Sequence, residues 1–81
     1  MPFIIYKNLA INADTVESIE IDFDDEKHFY YLLIESKYDN NYWYIGKFNS
    51  RYGAEQAATN IVCHLVNNSN IVIEDNLESE D

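Results

Sequence analysis

The chain is predicted to be α+β, an antiparallel meander of about four strands with one C-terminal helix packed on one face. Three observations predict it. Val16 to Phe23 alternates apolar Ile19, Ile21 and Phe23 with polar Ser18, Glu20 and Asp22, the period of a half-buried strand. His28 to Phe48 is dense in Tyr, Phe, Trp and Ile and is broken once, by Asp39-Asn40-Asn41, as a β-hairpin would be. Ala54, Ala57, Ala58, Ile61, Val62, Leu65 and Val66 then recur at helical spacing.

In chain order, Pro2 to Tyr6 is a short strand, turned at Lys7-Asn8 into a second short run, Leu9-Ala10-Ile11. Asn12 to Thr15 is a turn before the alternating strand. A four-residue loop, Asp24 to Lys27, joins that strand to the hairpin and pairs Phe23 with His28, Ile21 with Tyr30 and Ile19 with Leu32. Ser50 is the expected helix N-cap, although Gly53 stands where a capping-box Glu would be. Asn67 to Asn70 ends the helix. Ile71-Val72-Ile73 is a short β-branched strand that adds to a sheet edge, in this chain or in a second copy. Residues 1–73 thus form one domain, and Glu74 to Asp81 reads as a mobile acidic tail.

Side-chain parity assigns the faces. With Asp39-Asn40-Asn41 as a three-residue hairpin loop, Tyr38 faces Tyr42, Ser36 faces Tyr44, Ile34 faces Gly46 and Leu32 faces Phe48. That side joins Ile19, Ile21 and Phe23 under the helix. A two-residue Asn40-Asn41 turn would mix the two faces, since a slip of one residue inverts every side chain. The opposite, open face then carries Glu20 and Asp22 beside Phe29, Tyr31, Leu33, Trp43 and Ile45. Gly46 leaves room for the helix.

Fifteen acids against five bases give a net charge of −10, so nucleic acid and anionic membranes repel this chain and basic surfaces attract it. Seven of the acids fall between Asp14 and Glu26 and five between Glu74 and Asp81. Cys63 is the only cysteine, which excludes an internal disulfide and fits a reducing cytoplasm. The start, MPFIIYKNLAI, has neither the basic flank nor the apolar run of a signal peptide, and no stretch approaches membrane-spanning length.

No motif dictates a chemistry, so no enzyme activity, cofactor or metal is expected. An EF-hand loop begun at Asp22 would need Gly at its sixth position and Glu at its twelfth, where Lys27 and Leu33 stand. Cys63 and His64 are neighbours, so on a helix their side chains diverge; Cys63 reads as a small packed residue beside a solvated His64. His28 lacks a partner at ligand spacing. There is no phosphate-binding glycine loop, nucleophile elbow or Cys-x-x-Cys pair, and no enclosing loop to make a substrate pocket.

The positive signal is a row of acids beside rings. Alternate residues of a strand repeat every ~6.6 Å. Glu20 and Asp22, continued by Asp24, Asp25 and Glu26, therefore line up next to Phe29, Tyr31 and Trp43, rings of the kind that anchor interfaces. Such a surface can imitate a phosphate backbone with its bases. In size, acidity, lack of catalytic motifs and sheet-plus-helix layout, the chain resembles small phage and mobile-element inhibitors such as anti-CRISPR proteins. The resemblance implies a non-enzymatic inhibitor that binds a protein partner through that partner's basic nucleic-acid-binding surface. The alternative expectation is a self-associating structural or regulatory module, a homodimer formed through the open sheet face or the Ile71-Val72-Ile73 edge.

Overall fold

The computed structural model describes residues 1–77 and is α+β, with antiparallel strands and one C-terminal helix against them. Its strands divide into two three-stranded sheets. Phe3–Tyr6 (β1) and Leu9–Asn12 (β2) form a hairpin through Lys7-Asn8, where Lys7 takes φ 53. Val16–Asp24 (β3), Phe29–Ser36 (β4) and Tyr42–Phe48 (β5) form the expected meander. The helix Arg51–Val66 (α1) follows. Ile71–Val72 (β6) then pairs in parallel with β1, Ile4 beside Ile71 and Ile5 beside Val72. Of the two placements expected for Ile71-Val72-Ile73, the strand takes the one within its own chain, and by doing so it builds the second sheet.

The core lies between the two sheets and the helix. Ile4, Ile11, Ile71 and Ile73 come from the small sheet, Leu32, Ile34, Ile45 and Phe48 from the meander, and Ala54 and Ile61 from α1. Ile19 and Ile21 of β3 pack against this cluster, while Glu20 and Asp22 are exposed on the other side. The β3–β4 register is displaced by two residues from the expected one, with Ile21 beside Leu32 and Ile19 beside Ile34. An even displacement keeps every side chain on its predicted face. The register shifts between Val16 and Ser18, so Glu17 bulges out and Val16, three residues before Ile19, also packs on the core. Phe23 is the frayed end of the inward row: it is exposed and rests on Tyr30, ring centroids 4.7 Å apart.

β5 corrects the parity prediction. Near the turn, Ile34 lies beside Trp43 and Leu32 beside Ile45, and then the register shifts so that Tyr30 lies beside Phe48. Tyr31 therefore faces two residues, Gly46 and Lys47, the signature of a bulge led by a glycine at positive φ, here +80. The bulge brings Trp43, Ile45 and Phe48 to the helix side although they are not evenly spaced. Trp43 is half-buried against the core instead of standing on the open face, and Ile45 is fully buried. Tyr42 and Tyr44, expected inside, are 56% and 58% exposed, and Tyr38 is exposed too. The reason is burial: putting Ile45 fully inside stabilises by roughly 1.5–3 kcal/mol, part of the Trp43 ring adds to it, and one glycine suffices for the kink.

Ser50 caps α1 as expected, its hydroxyl accepting from the Gly53 amide at 3.0 Å. Ala54, Ala57, Ala58, Ile61 and Leu65 face the core, but Val62 and Val66, at the margin of the predicted stripe, stay exposed, as does Cys63. Three corrections thus fall on one helix side, where a small sheet cannot cover the whole apolar arc. Two residues of the segment expected to be a tail are held in place. Tyr6 donates its hydroxyl to Asp75 at 2.8 Å, Lys7 pairs with the same carboxylate at 3.6 Å, and the Asn76 amide donates to the Lys47 carbonyl at 2.7 Å. Asp75 and Asn76 are therefore held against the sheets, and residues 78–81 of the predicted tail lie outside the described residues.

Gly46 is the position on which the faces turn. A Cβ there would come within 2.6 and 2.7 Å of the Phe48 ring. Gly46→Ala should lower the unfolding free energy by roughly 1–3 kcal/mol through overpacking, with added strain at positive φ. A urea unfolding midpoint equal to that of the parent protein would remove the bulge from its place in this account.

Candidate partner-binding face

The face of the meander turned away from α1 is built by alternation along three strands. Ser18, Glu35 and Tyr42 lie side by side, the next row is Glu20, Leu33 and Tyr44, then come Asp22 and Tyr31, and last Asp24 and Phe29. Acids run down β3 and rings down β4 and β5. Phe29 and Tyr31 meet edge to face at 6.4 Å, Tyr31 and Tyr44 at 4.9 Å, and Tyr44 and Tyr42 at 5.5 Å in a tilted pair. Each such pair contributes about 0.5–1.5 kcal/mol beyond burial, so the four rings hold one another in place.

Of the predicted site residues, Glu20, Asp22, Phe29 and Tyr31 are brought together on this face. Asp22 accepts from the Phe23 amide at 2.8 Å and from the Tyr31 hydroxyl at 3.2 Å, which joins the acidic row to the ring row. Asp25 and Glu26 are exposed in the loop of residues 25–28 at the end of the row. Asp24 is half-buried and structural: one of its oxygens accepts from the amides of Glu26 and Lys27, each at 3.0 Å, and its carbonyl accepts from His28, which closes the loop at φ 61. Trp43 is on the opposite side of the sheet, and Tyr44 and Tyr42 occupy the positions expected of it. The signal for this was Gly46, since a lone glycine inside a strand pattern marks a bulge.

The face is not flat. At the hairpin end Glu17, Glu20, Glu35, Asp39, Lys37 and Tyr42 line an open hollow of about 520 Å³. Glu35 accepts from the Ser18 hydroxyl at 2.8 Å, so its carboxylate is fixed at the floor of this acidic end. At the other end Tyr6, Phe29, Tyr31, Tyr44, Lys27 and Lys47 line a second hollow of about 400 Å³. The sequence predicted neither, because each forms from residues far apart in the chain. The face is therefore polar along its length, acidic at the hairpin end and lysine-bearing at the other.

Partial burial raises the pKa of Tyr31, with the Asp22 carboxylate beside it adding to the shift. Burial likewise raises Tyr44, with Tyr42 as its second cause, and Tyr6, with Asp75 as its second. All three keep their protons at neutral pH, so Tyr31 and Tyr44 present hydroxyls and not phenolates. Among the described residues no group of three or more His, Cys, Asp or Glu side chains is placed to hold a metal ion, and no helix is long and apolar enough to cross a membrane. No family model, curated protein or solved structure matches the chain.

The shifts fix a pH dependence. A tyrosine that holds its proton more tightly when folded contributes stability in full below its ordinary value of 10.0, and loses it as pH rises through the higher folded value. Unfolding free energy should therefore fall above about pH 10. Asp22→Asn should bring Tyr31 part of the way back toward its ordinary value and leave Tyr6 unchanged. Carbon NMR of the labelled tyrosine rings reads both, and a Tyr31 titration indifferent to Asp22→Asn would deny the link between the two rows.

Proposed function

We propose that the chain is a non-enzymatic protein-binding inhibitor of the anti-CRISPR or nucleic-acid-mimic kind. It acts in the cytoplasm of a host cell, on a partner whose basic surface normally holds nucleic acid. The observation that carries this is the alignment of exposed Glu17, Glu20 and Asp22 on β3 beside the exposed rings of Tyr44 and Tyr42. Glu20 and Asp22 at strand spacing, with Glu17 at the bulge before them, offer a basic groove a row of negative charge. Tyrosines beside them give rigid contact area at low entropic cost, and an arginine can stack on a ring while its guanidinium meets a carboxylate. With a net charge of −10 the chain is steered toward such a surface and away from nucleic acid itself.

Self-association is the weaker reading. One edge of Ile71–Val72 is taken by β1, the other is only two residues long, and Ile71 and Ile73 are buried in their own core. β3 is an edge strand of the meander, but its row of acids would place like charges opposite one another in a strand-to-strand dimer.

The test uses Glu17→Lys, Glu20→Lys and Asp22→Lys together, three exposed positions outside the core. In bacteria with an active CRISPR defence, the parent chain should restore plaque formation by a targeted phage and the triple variant should not. With purified components, the parent should displace duplex DNA from the effector complex, less so as salt is raised. A folded triple variant that inhibits as strongly as the parent ends this proposal.

A further inference from the structure

The lysine-bearing end of the face has a chemistry that protein mimicry of nucleic acid does not use. Of the chain's five basic residues, two line this hollow and a third is next to one of its walls. Lys27 and Lys47 line the hollow, and Lys7 stands over the ring of Tyr6 at 5.2 Å. The Lys47 ammonium lies 5.5 Å from the centre of the Phe29 ring. Two of the four rings thus already carry ammonium groups of the same chain, so a cationic guest would meet repulsion where an aromatic cage would offer attraction. Among the described residues Asp24 is the one carboxylate in the lining, and two loop amides already hold one of its oxygens.

The walls are fixed before any ligand arrives. Tyr6 is tied through its hydroxyl to Asp75, and Tyr31 to Asp22. Tyr31 and Tyr44 brace each other edge to face. A guest suited to this site has a flat ring to lie against aromatic walls and a compact negative group to meet the lysines. Base-on-aromatic stacking tolerates any base, and Lys is a point-charge binder of phosphate. The hollow of about 400 Å³ is in the range of small-ligand sites. We propose that it binds a mononucleotide, with the base among Phe29, Tyr31 and Tyr44 and the phosphate held by Lys27 and Lys47. The site shares Tyr44 with the partner-binding face, but it does not rest on the inhibitor reading.

Amide NMR of the full chain, titrated with AMP, UMP, adenosine and inorganic phosphate, tests it. AMP and UMP should give saturable shifts at Phe29, Tyr31, Tyr44 and Lys47, with adenosine and phosphate each at least about tenfold weaker. Lys47→Gln should weaken AMP about tenfold, and so should Lys27→Gln, which lies in an exposed loop and leaves the fold intact. The protein with only Glu17 and Glu20 reversed, which leaves the Asp22–Tyr31 contact in place, should still bind AMP, which separates this site from the acidic end. Three results overturn the proposal: no saturable AMP shift at millimolar concentration, adenosine equal to AMP, or inorganic phosphate equal to AMP. The second would mean an apolar hollow only, and the third an anion corner only.

Discussion

The Gly46 bulge is the constraint on which both faces of the meander depend. A strand without it has one inward and one outward set, and β5 could not send Trp43, Ile45 and Phe48 to the same side. The extra residue opposite Tyr31 makes this geometry available. Its consequences reach in two directions. Inward, Ile45 and Phe48 close the core against Ala54 and Ile61. Outward, Tyr42 and Tyr44 are left in water beside Leu33 and Glu35, where they continue the ring row begun by Phe29 and Tyr31. The missing Cβ is needed twice, for the positive φ and for the Phe48 ring packed against that backbone.

The polarity of the outer face follows from where the chain can afford charge. β3 is an edge, and an edge strand tolerates exposed carboxylates that also discourage unwanted pairing. The acids of Glu17, Glu20 and Asp22 therefore sit on the strand least able to bury them. Lys47 sits on β5 at the bulge, stacked over Phe29, while Lys27 comes from the loop that Asp24 caps. A single sheet face thus holds an acidic end and a basic end only a few strand residues apart. The net charge alone would never suggest this, because ten excess acids conceal the pairing of Lys27 and Lys47 at one end.

Much of this was legible in the residues themselves. The alternation of Ile19 and Ile21 with Glu20 and Asp22 placed β3 correctly, and the even displacement of its register cost nothing in face assignment. The Ser50 cap, the α1 stripe and the Lys7-Asn8 turn were equally local and equally readable. Where the reading failed, it failed through long-range geometry. Asp39-Asn40-Asn41 suggests a three-residue loop, but register in β5 answers to what the core can bury, and this puts Trp43 inward and Tyr44 outward. Likewise the return of β6 to β1 joins residues 67 apart in sequence, such as Ile4 and Ile71, a contact that no local pattern encodes.

That return also explains how so small a chain holds together. With one cysteine and no disulfide, its stability has to come from burial across both sheets. The segment after α1 supplies the link. β6 completes the small sheet, the Ile73 amide donates to the Ile5 carbonyl at 2.8 Å, and Asn76 exchanges hydrogen bonds with Lys47 and Asn49 of the meander. On the way, Asp75 takes the Tyr6 hydroxyl and the Lys7 ammonium. The stretch first read as a tail therefore joins the small sheet to the bulged end of β5. It also fixes Tyr6, one wall of the hollow on the outer face, so the contacts that close the fold and those that shape the surface share the same few residues.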